Sequence, residues 1–318
     1  MRKLCLGLSF AAMAMLVACG SESGTEVSSE LPPGFSKPSS ERSSSDGGSD
    51  NSGESSASGN KVSSASEGTS SASSEGNSSG SEGSESAGSD ASIYDANANT
   101  LTDLRDGQVY RTTTIDIPTK GYSEVWMAEN LNYAYIGVPY NYDDFTFDST
   151  SWCYNNDPAN CETYGRLYTW AAALGKTEEE CGRSQDCGQP SGNIRGVCPQ
   201  GWHLPSRAEW MTLAVAVDES ITEFSNNTNA AGKALKSRTG WDAHSGFTND
   251  DAYSFAALPA GAYYYGEYSF KGEIAHIWSS TQDDVDYAYN MSLVYSGDRV
   301  SLFNDRKPYG FSVRCLKD

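Results

Sequence analysis

Residues 198–210 read Cys198-Pro199-Gln200-Gly201-Trp202-His203-Leu204-Pro205-Ser206-Arg207-Ala208-Glu209-Trp210, and this stretch decides the fold class. Ser206-x-x-Glu209 is a capping box, in which the serine hydroxyl takes a first-turn amide and the glutamate reaches back to the serine amide. The apolar run 210–217 then predicts a helix with a buried face. N-terminal to it, 167–174 reads as a short helix stopped by Gly175 near its C′ position. Earlier still, Asp106-Gly107 is a turn signal between 101–105 and the alternating run 108–117, with 122–127 as the returning strand. On the C-terminal side, 255–258, 261–265, 274–279, 287–295, 300–303 and 311–316 read as strands. Helices followed by a closing run of hairpins, within about 225 residues, predict a single α+β domain over 93–318.

The chain ahead of that domain has two parts. Arg2 and Lys3 precede an apolar stretch at 4–18, too short to span a bilayer, that ends in Leu16-Val17-Ala18-Cys19. This fits a lipobox: residues 1–18 are expected to be a lipoprotein signal peptide, and Cys19 the site of diacylglycerol attachment. Residues 19–92 are Ser, Gly, Glu, Ala and Asn with almost no large apolar side chains, so they are expected to stay disordered as a linker. Such a Gly/Ser chain has an r.m.s. span of roughly 45–50 Å. The expected location is the cell envelope, lipid-anchored at the outer membrane, with the domain facing either the cell surface or the periplasm. The serines leave O-glycosylation of this stalk open.

Charge narrows the partners. The chain holds 42 acidic and 22 basic residues for a net −20. Residues 1–92 carry 12 acidic and 5 basic, leaving 30 acidic and 17 basic, a net −13, for the domain. A domain of that sign repels phosphate backbones, so no nucleic-acid partner is expected, and acyl chains on Cys19 are expected to make the membrane contact. Beyond Cys5 and Cys19, six cysteines remain: Cys153, Cys161, Cys181, Cys187, Cys198 and Cys315. In an exported domain they read as three disulfides, with 15 connectivities open. Local closure suggests Cys153–Cys161 and Cys181–Cys187, which leaves Cys198 for Cys315. No C-x-x-C occurs and His203, His244 and His276 are scattered, so zinc is not expected.

Several motifs together resemble a known family. They are Asp106-Gly107-Gln108-Val109-Tyr110, Trp126-Met127-Ala128-Glu129-Asn130-Leu131-Asn132-Tyr133, Tyr164-Gly165-Arg166-Leu167-Tyr168-Thr169-Trp170 and the 198–210 stretch. Leu258-Pro259-Ala260-Gly261, Trp278-Ser279-Ser280-Thr281 and Gly310-Phe311-Ser312-Val313-Arg314-Cys315 follow in order. The chain thus resembles the Fibrobacter succinogenes major paralogous domain, which implies an exported, disulfide-bonded lipoprotein without an established activity. A remoter likeness is carried by His203-Leu204-Pro205-Ser206-Arg207-Ala208-Glu209-Trp210 and by the closing Gly-Phe-Ser-Val-Arg-Cys. Both are similar to segments of the formylglycine-generating sulfatase-modifying family, whose likeness implies a C-type-lectin-like architecture. That family's copper-binding cysteine pair has no counterpart here, nor do the E-P-N and W-N-D signatures of calcium-dependent lectins. Neither enzymatic activity nor calcium-dependent sugar binding is carried over.

The residues themselves point to a binding module. There is no G-x-S-x-G elbow, H-E-x-x-H, Walker loop or dinucleotide fingerprint, so no catalytic residue is assigned and no enzyme is indicated. His203 is a candidate base, but a histidine at a helix entry more often packs and hydrogen-bonds locally. Asp143-Asp144, Asp250-Asp251 and Asp283-Asp284 are loose candidates for glycoside hydrolysis or a calcium site. No cofactor is assigned; calcium has no motif to hold it. Tyr263, Tyr264, Tyr265 and Tyr268 surround a Gly266 turn and are the candidate ligand contacts, since tyrosine faces suit sugar rings. Tyr133, Tyr135, Tyr140 and Tyr142 crowd a second loop. Arg166, Trp170, Trp202, Trp210 and Trp278 are expected to build the core. The expectation is a lipid-anchored extracytoplasmic binding or adhesion module, with polysaccharide the favoured ligand. A structural envelope or protein-interaction module is second, and a hydrolase third.

Overall fold

The computed structural model describes residues 91–137, 139–142, 145–188, 192–221 and 229–318. Residues 1–90, with the expected signal peptide, Cys19 and nearly all of the expected linker, lie outside the described residues, as do Asp143 and Asp144. The first sheet opens as a meander of antiparallel strands, Ser92–Asp95, Thr100–Asp103, Val109–Ile117 and Tyr122–Met127. The Asp106-Gly107 turn forms as its sequence dictates. Gly107 has φ +78° and donates to Asp103 O at 2.7 Å, while the buried Asp103 carboxylate takes a two-pronged bond from Arg105. Two short strands complete this sheet. Leu316–Lys317, nearly the chain's end, lies between Tyr122–Met127 and Trp202–His203 and pairs with both.

The second sheet has six strands, in the order Ser301–Arg306, Tyr287–Val294, Ile274–Gln282, Phe311–Ser312, Leu167–Tyr168 and Ser151–Trp152. All its pairings are antiparallel except that of Ile277 with Ser312. The helix Arg207–Val217 packs Trp210, Leu213 and Ala214 against Ile277, Met291 and Leu293 of this sheet and against Trp126 of the first. Trp126 and Trp210 stack with centroids 4.7 Å apart. The capping box is complete: Glu209 N donates to Ser206 Oγ at 3.2 Å, and Ser206 N to Glu209 Oε2 at 2.7 Å. A second core gathers Trp170, Trp202, Trp278, Phe311 and Val313, all with almost no exposed surface. The domain is α+β, and the expected core tryptophans are inside it.

Three local expectations change. The stretch 167–174 is not one helix: Leu167–Tyr168 is a strand held between two others, and the helix is Trp170–Ala173, started by Thr169. The stretch 255–258 is not a strand, because Phe255 and Ala256 turn their carbonyls to Arg314 and Ala256 adopts φ +52°. The segment 311–316 is two strands in two different sheets.

The three disulfides are Cys153–Cys161, Cys181–Cys187 and Cys198–Cys315, with Cα–Cα separations of 4.9, 5.3 and 5.9 Å. The last joins residues 117 apart and fastens the final strand beside the 198–210 stretch.

Candidate functional site

The tyrosine hairpin is Ala262–Tyr264 paired with Glu267–Ser269, with Tyr265 and Gly266 as its two-residue turn. Both turn residues have positive φ, +47° and +83°, as the right-handed twist of a tight hairpin requires. Glycine carries that conformation freely; a tyrosine there is strained by on the order of 1 kcal/mol. Alternation along the strands then sends neighbouring tyrosines to opposite faces. Tyr263 and Tyr268 face one another across the register and pack toward Trp152, whose ring centroid is 4.5 Å from that of Tyr263. Tyr268 Oη donates to Asn156 Oδ1 at 2.7 Å. Tyr264 points the other way, edge-on to Tyr309 at 4.8 Å and Phe311 at 5.6 Å. Tyr265 is 47% exposed and touches Tyr309 edge-on at 5.2 Å. Of the four candidate contacts, the structure therefore builds Tyr263, Tyr264 and Tyr268 into the packing and leaves Tyr265 at the surface.

Gly310 locks the hairpin in place. Its backbone exchanges two 2.9 Å hydrogen bonds with Tyr263, and a Cβ there would come within 2.8 Å of the Tyr263 Cβ. Beneath Tyr264 lies a polar group that sequence reasoning missed. His276 stacks on Phe311 at 4.6 Å and its Nδ1 lies 3.0 Å from Asn290 Oδ1; Asn290 Nδ2 donates to Asp305 Oδ2 at 2.8 Å. Burial pushes the His276 pKa down, despite the pull of Asp305 and Asn290, so the ring is neutral at pH 7. Burial pushes Asp305 up, against the opposing influence of His276 and Asn290. Tyr264 is raised by burial and then by Asp305. Phe303 faces Asn290 across the strand pair and is 48% exposed. Among the described residues, Tyr265 and Phe303 are the large aromatic side chains that are exposed. The alternation of strand 287–294 could have suggested Asn290 as an inward polar residue, but nothing local joins it to His276 and Asp305.

The other candidates fall elsewhere. The His203 ring is held between Asp318 Oδ1 at 2.7 Å and Glu209 Oε1 at 3.0 Å, with 4% of the side chain exposed. Burial lowers its pKa, but the hydrogen bonds to Glu209 and Asp318 outweigh that and hold the imidazole above its ordinary value. It ties the helix start to the chain end. Asp250 pairs with Lys233 at 3.2 Å, and Asp251 accepts the Ala256 amide. Asp283 accepts from Tyr289 Oη and Asn304, and Asp284 from the amides of Asp286 and Tyr287, so this pair shapes a turn between strands. Among the described residues, no three His, Cys, Asp or Glu side chains gather to hold a metal ion. Arg166 bonds to Ser151 and lies against both sulfurs of Cys153–Cys161. Tyr133, Tyr135 and Tyr140 are half-buried against the core, and the Tyr142 side chain lies outside what is described.

Together these residues present an exposed ring at the hairpin tip above a sheet whose donors and acceptors are fixed. No curated protein and no solved structure matches the chain. The model of the Fibrobacter succinogenes major domain matches residues 122–317, from the second long strand of the first sheet to the last strand. That is well over half of the chain, and with the fold and disulfides above it shows that this chain belongs to the Fibrobacter succinogenes major domain family.

Proposed function

We propose that the chain is an extracytoplasmic binding module, tethered by acyl chains on Cys19, whose hairpin tip takes polysaccharide. The observation that carries this reading is Tyr265: a half-exposed aromatic ring kept at φ +47°, where glycine would be less strained. Strain of that kind clusters at functional sites, and a tyrosine face with a polar end suits stacking on a sugar ring. Tyr264, His276, Asn290 and Asp305 support the tip from below and keep it rigid.

Affinity electrophoresis of the full chain in detergent, through gels holding soluble plant and bacterial polysaccharides, tests the reading. Selective retardation is expected, and Tyr265→Gly should abolish it while leaving the melting temperature unchanged or higher. Tyr264→Ala is the poorer probe, since it opens the packing. No retardation on any polymer, or equal retardation of Tyr265→Gly, overturns the proposal. The anchor has its own test: Cys19→Ser should move the protein from the membrane fraction to the soluble one, and continued retention there would exclude acylation at this cysteine.

A further inference from the structure

The second sheet has one face closed by a helix and the other beneath the hairpin. Ile277, Met291 and Leu293 point to the helix Arg207–Val217. Alternation sends His276, Asn290 and Ser292, and Ser301, Phe303 and Asp305 of the edge strand, to the side where Tyr264 lies edge-on to His276. Register sets His276 opposite Ser292 and Ser292 opposite Ser301. A polar row thus crosses three strands, from the ring of Tyr264 to the edge of the sheet. Its three side chains are only 8%, 3% and 6% exposed, whereas Phe303 beside it at the edge is 48% exposed.

The polar atoms of this face do not satisfy one another. Asn290 Nδ2 donates to Asp305 Oδ2, so the Asn290 atom facing His276 is the acceptor Oδ1, and the imidazole proton is on Nδ1. The neutral His276 ring therefore offers a bare Nε2. That nitrogen, Asp305 Oδ1, Tyr264 Oη and the hydroxyls of Ser292 and Ser301 make no hydrogen bond among the described residues, and none of the five is sealed from outside. Nearly buried polar groups are normally paired, and a ligand that pairs them recovers the cost of their confinement. Nε2 and the Asp305 carboxylate only accept; the three hydroxyls donate or accept. Their complement is a ligand carrying several hydroxyls along one face. Asp305 and the chain's net charge of −20 disfavour an acidic one. Phe303 adds a flat apolar face at the end of the row.

We propose that the glycan taken by the hairpin tip continues over this row and is a neutral polysaccharide. Its hydroxyls donate to His276 Nε2 and Asp305 Oδ1, and one sugar ring stacks on Phe303. This rests on the polysaccharide reading of Tyr265 and adds to it a second contact zone and a charge class.

Affinity electrophoresis of the full chain in detergent, in parallel gels of galactomannan, xyloglucan, mixed-linkage β-glucan and polygalacturonate, tests it. Retardation by at least one neutral polymer and none by polygalacturonate is expected. The double variant Ser292→Ala/Ser301→Ala, which removes two hydroxyls and little volume, should weaken that retardation severalfold. Asp305→Asn and Phe303→Thr should each weaken it about tenfold, through a lost charge-assisted hydrogen bond and a lost ring face. Melting curves of each variant establish that it is folded. Retardation by polygalacturonate as strong as by the neutral polymers overturns the inference and leaves the tip reading standing. So does undiminished retardation of all three row variants while Tyr265→Gly is not retarded. Weakened row variants with full retardation of Tyr265→Gly support the row and overturn the role of the tip. No retardation of the wild type on any polymer overturns both.

Discussion

At the scale of single residues, three buried cations of this domain are held by carbonyl and amide oxygens rather than by carboxylates. Arg314 has no exposed surface; it donates to Asn130 Oδ1 at 2.8 Å and to the carbonyls of Phe255 and Ala256, and lies over the Phe255 ring. Burial brings its pKa down to about 9, against the attraction of Glu129 and Asp251. Lys236 does the same with Val294 O at 3.0 Å and Gly297 O at 2.7 Å, and Lys307 with Gln185 O. Each cation collects carbonyls from a loop, so each acts as a pin that holds irregular backbone against a sheet. Glu178 is the acidic counterpart, and it has a consequence for stability. Burial raises its pKa from 4.5 to about 7, with Thr169 and Lys307 pulling the other way. Between those values the unfolded chain releases this proton while the folded chain keeps it. The stabilisation is therefore full below pH 4.5 and lost as pH rises through about 7, by up to about 3 kcal/mol. Urea unfolding at pH 5 and pH 8 should show the wild type losing stability over that interval. Glu178→Gln should show a smaller loss and exceed the wild type at pH 8; parallel profiles for the two proteins would rule the burial effect out. None of this was legible in the sequence, where Glu178, Glu179 and Glu180 look alike.

At the scale of elements, local chemistry was readable wherever it closed on itself. The Ser206–Glu209 box starts the helix Arg207–Val217, and Asp106-Gly107 turns Thr100–Asp103 back into Val109–Ile117, because the groups concerned lie within a few residues of each other. The segment 311–317 shows where that reading ends. Its apolar run looks like one strand, yet Phe311–Ser312 joins the second sheet and Leu316–Lys317 the first, with buried Arg314 and the Cys198–Cys315 bond between them. This disulfide closes a separation of 117 residues, against 8 and 6 for the other two. Chain entropy then predicts about 5 kcal/mol for it and about 2–3 kcal/mol for a short loop. Replacing Cys198 and Cys315 together by alanine should lower stability to urea about twice as much as replacing Cys153 and Cys161. Equal losses would mean that long-range closure is not what this bond contributes.

At the scale of the whole molecule, two sheets share one helix and one closing segment, and the candidate site lies where the second sheet is covered by a hairpin. The strands Ser92–Asp95, Thr100–Asp103 and Val109–Ile117 precede the family match at 122, yet Val109–Ile117 pairs along the full length of Tyr122–Met127. They therefore belong to the same sheet as the matched strand Tyr122–Met127. Composition and motif order alone determined the α+β class, the family, the acidic balance and the number of half-cystines, because each depends on which residues are present and in what order. The helix cap and the Asp106-Gly107 turn were determined as well, since their hydrogen bonds span only a few residues. Tertiary structure alone decided that Tyr265 is exposed while Tyr264 is half-buried against Tyr309 and Phe311, and that His276, Asn290 and Asp305 meet across three strands. It also decided that Glu178 is half-buried, with one oxygen fully covered, while Glu179 and Glu180 are exposed. The reason is physical: burial and pairing partners are set by which distant faces come together, and a local pattern records that a residue can be buried, not what will cover it.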